Sequence, residues 1–340
     1  MHKPNAHRAR GSRMTRMGDP LLNRYLEFVE SRARRNTVLA TASDLKSFFG
    51  IIDKAPIEVK PSDVLQFVTE QRKPSGDGRI VRISDGESGL SARTIKRKLS
   101  SVSGLFSYLV LCGEVSMNPV PRSLATRRPG SRGPALIRTP RTLPKILEPT
   151  DVNALVDALR TNRDRAMVEA MLLGGLRRCE VLGLRFEDLR PGENQVFVAD
   201  GKGGHQRLVP MSPRFFRSLS FYMDTERPPE AKTRYVFVAL KGQRRGQPFQ
   251  ADGLDKIVLN AKSRAGLSHC TCHELRHTCL TRLREAGMAL EALQAQAGHR
   301  SLESTRLYLH LANDWLAAEY VRAASIIDGS AREPFAAVAQ

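Results

Sequence analysis

The chain has no apolar run long enough to cross a bilayer. Its first stretch, Met1 to Met17, is basic but has no apolar core of the kind a secretory signal carries, and it reads as a flexible basic arm. Cysteine is scarce. Cys112, Cys179, Cys270, Cys272 and Cys279 form an odd set, expected as reduced thiols in a cytoplasm. Acid is outnumbered: 35 Asp and Glu face 54 Lys and Arg, a net charge of +19. That excess calls for a polyanionic partner, nucleic acid before any membrane surface. Signatures of bound groups are missing too. Gly201-Lys202-Gly203-Gly204 has neither the glycine spacing nor the Lys-Ser/Thr of a nucleotide-binding loop. Cys270-Thr271-Cys272-His273 lacks the Cys-x-x-Cys pairing of structural zinc sites, and Cys270 falls before the helix that would carry His273 and His277. No cofactor, metal or membrane partner is expected.

What the chain does have is 340 residues, 41% of them hydrophobic, enough for two domains with cores. Residues 19–119 read as a helical domain after the arm of 1–18. Leu21, Leu22, Tyr25, Leu26 and Val29 recur at helical spacing. Ala42, Leu45, Phe48, Phe49 and Ile52 predict a second helix from about Thr37, and Pro61-Ser62 opens a third. Residues 75–89 read as a loop, within which 79–83 suits a short hairpin. A fourth helix, Ser91 to about Cys112, carries Ile95, Leu99, Val102, Leu105, Phe106 and Leu109 inward. Its first half bears Arg93, Lys96, Arg97 and Lys98, candidates for DNA phosphate contact. Residues 120–146 form a stiff basic linker rich in proline and arginine, with Arg127 and Arg128 as further candidates.

A second domain spans 147–328, with a flexible tail over 329–340. Thr150 is the expected cap of its first helix, and Arg163 to about Leu173 the second helix. Gln195–Ala199 and Arg207–Pro210 flank glycines and predict a β-hairpin. Tyr235–Val238 reads as a strand, and helices are expected over Pro213–Thr225 and Ala251–Ala265. Leu316, Tyr320, Ala323, Ala324 and Ile327, with Trp315 beside them, predict a last amphipathic helix.

Three stretches carry chemistry. Gly174-Gly175-Leu176-Arg177-Arg178-Cys179-Glu180 places Arg177 one turn from Glu180. His273-Glu274-Leu275-Arg276-His277-Thr278 puts His273 and Arg276 three apart on a helix. Gly298-His299 precedes Tyr308 by nine residues from the histidine. Arginine supplies a fixed fork of donors for phosphate oxygens, histidine a proton acceptor near neutral pH, and tyrosine a hydroxyl that can attack phosphorus.

These boxes, in this order, resemble the tyrosine recombinase (phage integrase) family. The resemblance covers the second domain closely and the first more loosely, through the helical pattern and Asn118-Pro119. It implies a mainly α protein with a small β-sheet: an N-terminal helical core-binding domain and an α+β catalytic domain. It implies a site-specific DNA recombinase that cuts and rejoins through a 3′-phosphotyrosine link, without metal or ATP. Arg177, Lys202, His273, Arg276, His299 and Tyr308, the nucleophile, are then the catalytic set, with Glu180 in support. Double-stranded recombination sites are the implied partner, with self-association on DNA to a tetramer in the synaptic complex. Two other readings stand beside it: a DNA-binding accessory protein or repressor of this fold that does not cut, and a nicking–closing enzyme of the topoisomerase type, which shares the chemistry.

Overall fold

The computed structural model describes residues 17–73, 89–121, 136–139, 145–199, 206–298 and Thr305. The chain divides into two compact units, Met1–Arg141 and Thr142–Gln340. Among the described residues, no helix is long and apolar enough to cross a membrane.

Among the described residues, the first unit holds four α-helices: α1 (Pro20–Arg32), α2 (Arg35–Phe49), α3 (Pro61–Arg72) and α4 (Ala92–Leu111). Asp19 caps α1 through its carboxylate, which accepts from the Leu21 and Leu22 amides, and Ser91 caps α4 by accepting from Thr94. The faces anticipated from helical spacing meet in one core. Leu45, Phe48, Phe67, Ile95, Val102, Leu105, Phe106 and Leu109 are fully enclosed there. One buried carboxylate joins two of the helices. Asp44 of α2 accepts both arms of the Arg97 fork, at 2.6 and 2.7 Å, and the Ser101 hydroxyl at 2.8 Å. The described part of the expected linker includes 136–139. Its apolar pair Leu136-Ile137 packs on this core, with Ile137 buried.

The second unit is helical around a small sheet. Its elements are α5 (Pro149–Asp157), α6 (Asn162–Gly174), α7 (Arg178–Leu182), β1 (Leu189–Arg190), β2 (Gln195–Val198), β3 (Arg207–Pro210), α8 (Pro213–Thr225), α9 (Ala251–Arg264), α10 (Cys272–Glu285) and α11 (Leu290–Ala297). The three strands run antiparallel in the order β1-β2-β3, with Val196 opposite Val209. Helix α6 is the centre. Ala166, Met167, Val168, Ala170 and Met171 are fully buried around its whole girth, because α8 and α10 pack on it. Its far end delivers the chain into Gly174-Gly175-Leu176-Arg177, and the Leu176 amide closes back onto the Ala170 carbonyl at 3.2 Å. Thr278 of α10 accepts from the Leu147 amide at 2.9 Å, pinning the entry of the unit to the helix that carries the second arginine.

Two expectations change. The first helix of this unit starts at Pro149, with Glu148 at the cap position, and not behind Thr150. Proline suits the first helical position, where its missing N–H costs nothing. Tyr235–Val238 makes only isolated bridges, Tyr235 with Arg185 and Val238 with Pro248. Main-chain bonds from the Val236 amide to the Leu184 carbonyl and from the Phe249 amide to the Phe237 carbonyl hold the segment, and the Tyr222 hydroxyl adds to them. It donates to the Val236 carbonyl and accepts from the Val238 amide, each at 3.2 Å.

Candidate active site

A helix leaves its last carbonyls without an internal donor, and its aligned peptide dipoles give that end partial negative charge. At the end of α11 three successive carbonyls are each taken by an arginine from a different place in the fold. Arg207 Nε, at the start of β3, donates to the Gln296 carbonyl at 3.1 Å. Arg276 Nη2, in α10, donates to the Ala297 carbonyl at 2.6 Å. Arg177 Nη2, on the residue before α7, donates to the Gly298 carbonyl at 3.2 Å. The helix stops here because Gly298 takes the left-handed conformation, φ 59°. The Gln296 amide nitrogen anchors this end further, donating to the Gly174 carbonyl at 3.0 Å and the Pro210 carbonyl at 3.1 Å.

Arg276 is 2% exposed, and its second amino group, Nη1, donates to the Gly175 carbonyl. Two carbonyls therefore fix the plane of its guanidinium. Arg177 is held from the other side. Glu180 Oε1 accepts from Arg177 Nη1 at 2.8 Å, and Oε2 accepts from the Arg177 amide at 2.9 Å, the reach-back of a helix-capping glutamate. The Glu180 carboxylate also takes the Arg207 fork, Nη1 at 3.1 Å and Nη2 at 2.9 Å. Burial alone would raise the pKa of Glu180. The Arg207 fork, then the bonds from Arg177, outweigh it and bring the value down to about 2. Two guanidiniums thus pair with one ionised carboxylate, and with Arg276 on the neighbouring carbonyl the end of α11 gathers three positive charges against one negative. An anion with oxygens in place to accept from such a cluster gains more than it would in water.

His273 and His277 lie one turn apart on α10, with their Nε2 atoms 2.9 Å apart. One of the two nitrogens must carry the proton and the other must accept it. Burial, with His273 and Arg276 beside it, lowers the pKa of His277 to about 4, so it is neutral near neutral pH. The thiols nearby are passive. Burial raises Cys270 to about 12; burial and a hydrogen bond to Asp255 Oδ1 do the same for Cys272. Among the described residues, no group of three or more His, Cys, Asp and Glu gathers as a metal ion would need.

Of the anticipated site residues, Arg177, Glu180 and Arg276 meet at the end of α11, and His273 stands exposed on α10. Lys202, His299 and Tyr308 lie outside the described residues, as do Arg127, Arg128, Tyr320, Trp315, the 79–83 hairpin and the tail. Among the DNA-contact candidates of α4, Arg93 and Lys96 are exposed. Arg97 is committed to Asp44, and Lys98 donates to Ser47 at 2.6 Å and Gln71 at 2.8 Å. Sequence reasoning missed Arg207 and Gln296. The signal for Arg207 was available: it sits two residues from the buried Val209, so it shares the inward face of β3, an unusual place for a charge.

The Phage integrase family model matches residues 145–314, and the phage integrase N-terminal SAM-like domain model matches residues 22–113. A tyrosine recombinase XerD of Listeria monocytogenes serotype 4b is 28% identical over 86% of this chain and 94% of its own length. A tyrosine recombinase XerC of Thermodesulfovibrio yellowstonii is 30% identical over 81% of this chain and 86% of its own. In fold, the chain is similar to the XerH site-specific recombinase solved on a palindromic difH substrate as a post-cleavage complex. The TM-score is 0.63 at 19% identity, over 93% of this chain and 99% of that one.

Proposed function

The chain belongs to the phage integrase family of tyrosine recombinases, and from that premise we infer that it is a site-specific DNA recombinase, acting on double-stranded sites through a 3′-phosphotyrosine intermediate. One observation supports the assignment of its site more than any other. The two motif arginines, Arg177 and Arg276, are held on the adjacent carbonyls of Gly298 and Ala297, immediately before His299.

In this reading both guanidiniums donate to the non-bridging oxygens of the scissile phosphate and offset the charge that grows as phosphorus becomes pentacovalent. They do the work a divalent cation does elsewhere. Tyr308 attacks phosphorus, forming the phosphotyrosine bond as the bond to the 5′ oxygen breaks. A phenol has a pKa near 10, so its proton must leave during attack. His273 takes it, and the neutral His277 beside it can accept a hydrogen bond from the imidazolium that results. Lys202 gives a proton to the departing 5′ oxygen, and His299 donates to the phosphate. One phosphoester replaces another, so rejoining by the reverse path needs no ATP. Exchange between two duplexes breaks four strands. With one nucleophile per chain, that requires four copies on the paired sites.

The test is a nicked suicide duplex that traps the covalent adduct, with peptide mass spectrometry to locate it. Tyr308→Phe should bind DNA as the wild type does and form no adduct, while Tyr320→Phe still forms it. An adduct on another tyrosine, or undiminished trapping by Tyr308→Phe, overturns the assignment. Relaxation of supercoils with no exchange between paired sites would make the protein a nicking–closing enzyme.

A further inference from the structure

Of the three arginines that donate to the end of α11, Arg177 and Arg276 belong to the motif stretches read from the sequence and Arg207 does not. All three of its guanidinium nitrogens are used within the protein. Nη1 and Nη2 hold both oxygens of Glu180, and Nε holds the Gln296 carbonyl. Its side chain is only 11% exposed. The guanidinium also lies flat against Gly298: a Cβ built there would meet Nη1, Cζ and Nε at 2.9 to 3.0 Å. Arg207 thus touches both groups that hold Arg177, the Glu180 carboxylate and the Gly298 turn.

Glu180 has no exposure and four donors: the Arg177 amide, Arg177 Nη1 and the two from Arg207. Without Arg207 the carboxylate keeps only the Arg177 donors. A buried carboxylate short of donors takes what remains within reach. It would draw the Arg177 fork into a two-pronged pair and off the Gly298 carbonyl, turning its free N–H groups away from a bound phosphate. With Arg207 in place, Glu180 is satisfied from the far side and Arg177 keeps one arm on each support.

We propose that Arg207 is a positioning residue for strand cleavage: it saturates Glu180 and braces the Gly298 turn, and so sets the direction in which Arg177 presents its donors to the scissile phosphate. The proposal rests on the recombinase reading of the site. It assigns Arg207 no contact with DNA and no proton transfer. Because the bracing needs a planar fork, lysine should not replace it.

The experiment combines single-turnover adduct formation on the nicked duplex with a spectroscopic readout that needs no DNA. Arg207→Ala and Arg207→Lys should bind DNA within about twofold of wild type and form the adduct at least about tenfold more slowly. In an Arg177→Lys background the same changes should cost less than about threefold, because residues that act through one another are not additive. Equal losses in the two backgrounds would overturn the proposal, since a merely structural defect adds. The Arg207→Lys variant carries the comparison if Arg207→Ala fails to fold. In the full chain labelled with ¹⁵N-arginine, the Nε–H resonance that disappears in Arg177→Lys identifies Arg177. It should shift and exchange faster in Arg207→Lys, and an unmoved resonance sinks the proposal even if the chain proves not to cut DNA. A wild-type chain that forms no adduct refutes the recombinase reading alone.

Discussion

At Glu180 the balance between burial and pairing sets a pH dependence whose sign can be worked out. Its folded pKa of about 2 lies below the ordinary 4.5. The stability it contributes is therefore fully present above about pH 4.5 and is lost as pH falls toward 2. Glu180→Gln should be less stable than the wild type near neutral pH by about 1–3 kcal/mol. The gap should close on acidification, as the wild-type carboxyl takes up its proton. Urea melts of both proteins across that range check this, and a gap independent of pH would mean that the charge is not what Arg177 and Arg207 hold. At this scale the motif residues were legible because spacing names them: Arg177 with Glu180, and His273 with Arg276. Arg207 was not, because its partners, a glutamate 27 residues away and a main-chain carbonyl 89 residues away, leave no local pattern.

At the scale of elements, the turn at Gly298 carries two burdens that can be separated. Alanine there adopts the left-handed region at a cost of roughly 1–2 kcal/mol, and its Cβ would also press on the Arg207 guanidinium at 2.9 Å. Gly266, φ 68°, pays the backbone cost alone, with nothing within 4 Å of an added Cβ. Gly298→Ala should therefore lose stability beyond Gly266→Ala and slow adduct formation, while Gly266→Ala leaves cleavage near the wild-type rate. Stability curves and single-turnover rates on the two variants decide it; equal behaviour would mean that the Arg207 contact is idle. Most helices could be read from apolar periodicity. Pro213–Thr225 matches to the residue, and Ala251–Arg264 to within one. Periodicity does not report who supplies hydrogen bonds across space. That is why Tyr235–Val238 was read as a strand, when its amides and carbonyls are met by scattered main-chain groups, two arginines and the Tyr222 hydroxyl.

At the scale of the whole molecule, the +19 charge was the first clue and remains the least specific. Binding to duplex DNA should weaken steeply with salt, by about 0.9 in log–log slope for each phosphate neutralised. Replacing the exposed Arg93 and Lys96 together by alanine should flatten the slope by roughly 2 and leave the fold intact. Arg97→Ala should cost stability as well, because it strips two bonds from the buried Asp44. Salt titrations and melts on the three proteins test the division, and a slope unchanged in Arg93→Ala/Lys96→Ala would move the interface off the start of α4. Charge count alone could not make this distinction. Four neighbouring cations look alike in sequence, and only the packing of α2 against α4 shows that two of them are already engaged.

The groups at the end of α11 that hold the three arginines are main-chain carbonyls, so no side-chain replacement can delete them. What can is a change of length. Each residue of an α-helix turns its carbonyl by about 100°. A one-residue deletion inside Leu290–Ala297 would swing the last carbonyls away from all three guanidiniums at once. The same deletion in the preceding turn around Gly287 would leave the spacing from Leu290 to Gly298 as it is. The end of α11 should therefore admit almost no insertions or deletions, a frame-like constraint, separate from the side-chain demands at Gln296 and Gly298, that a substitution scan would not detect.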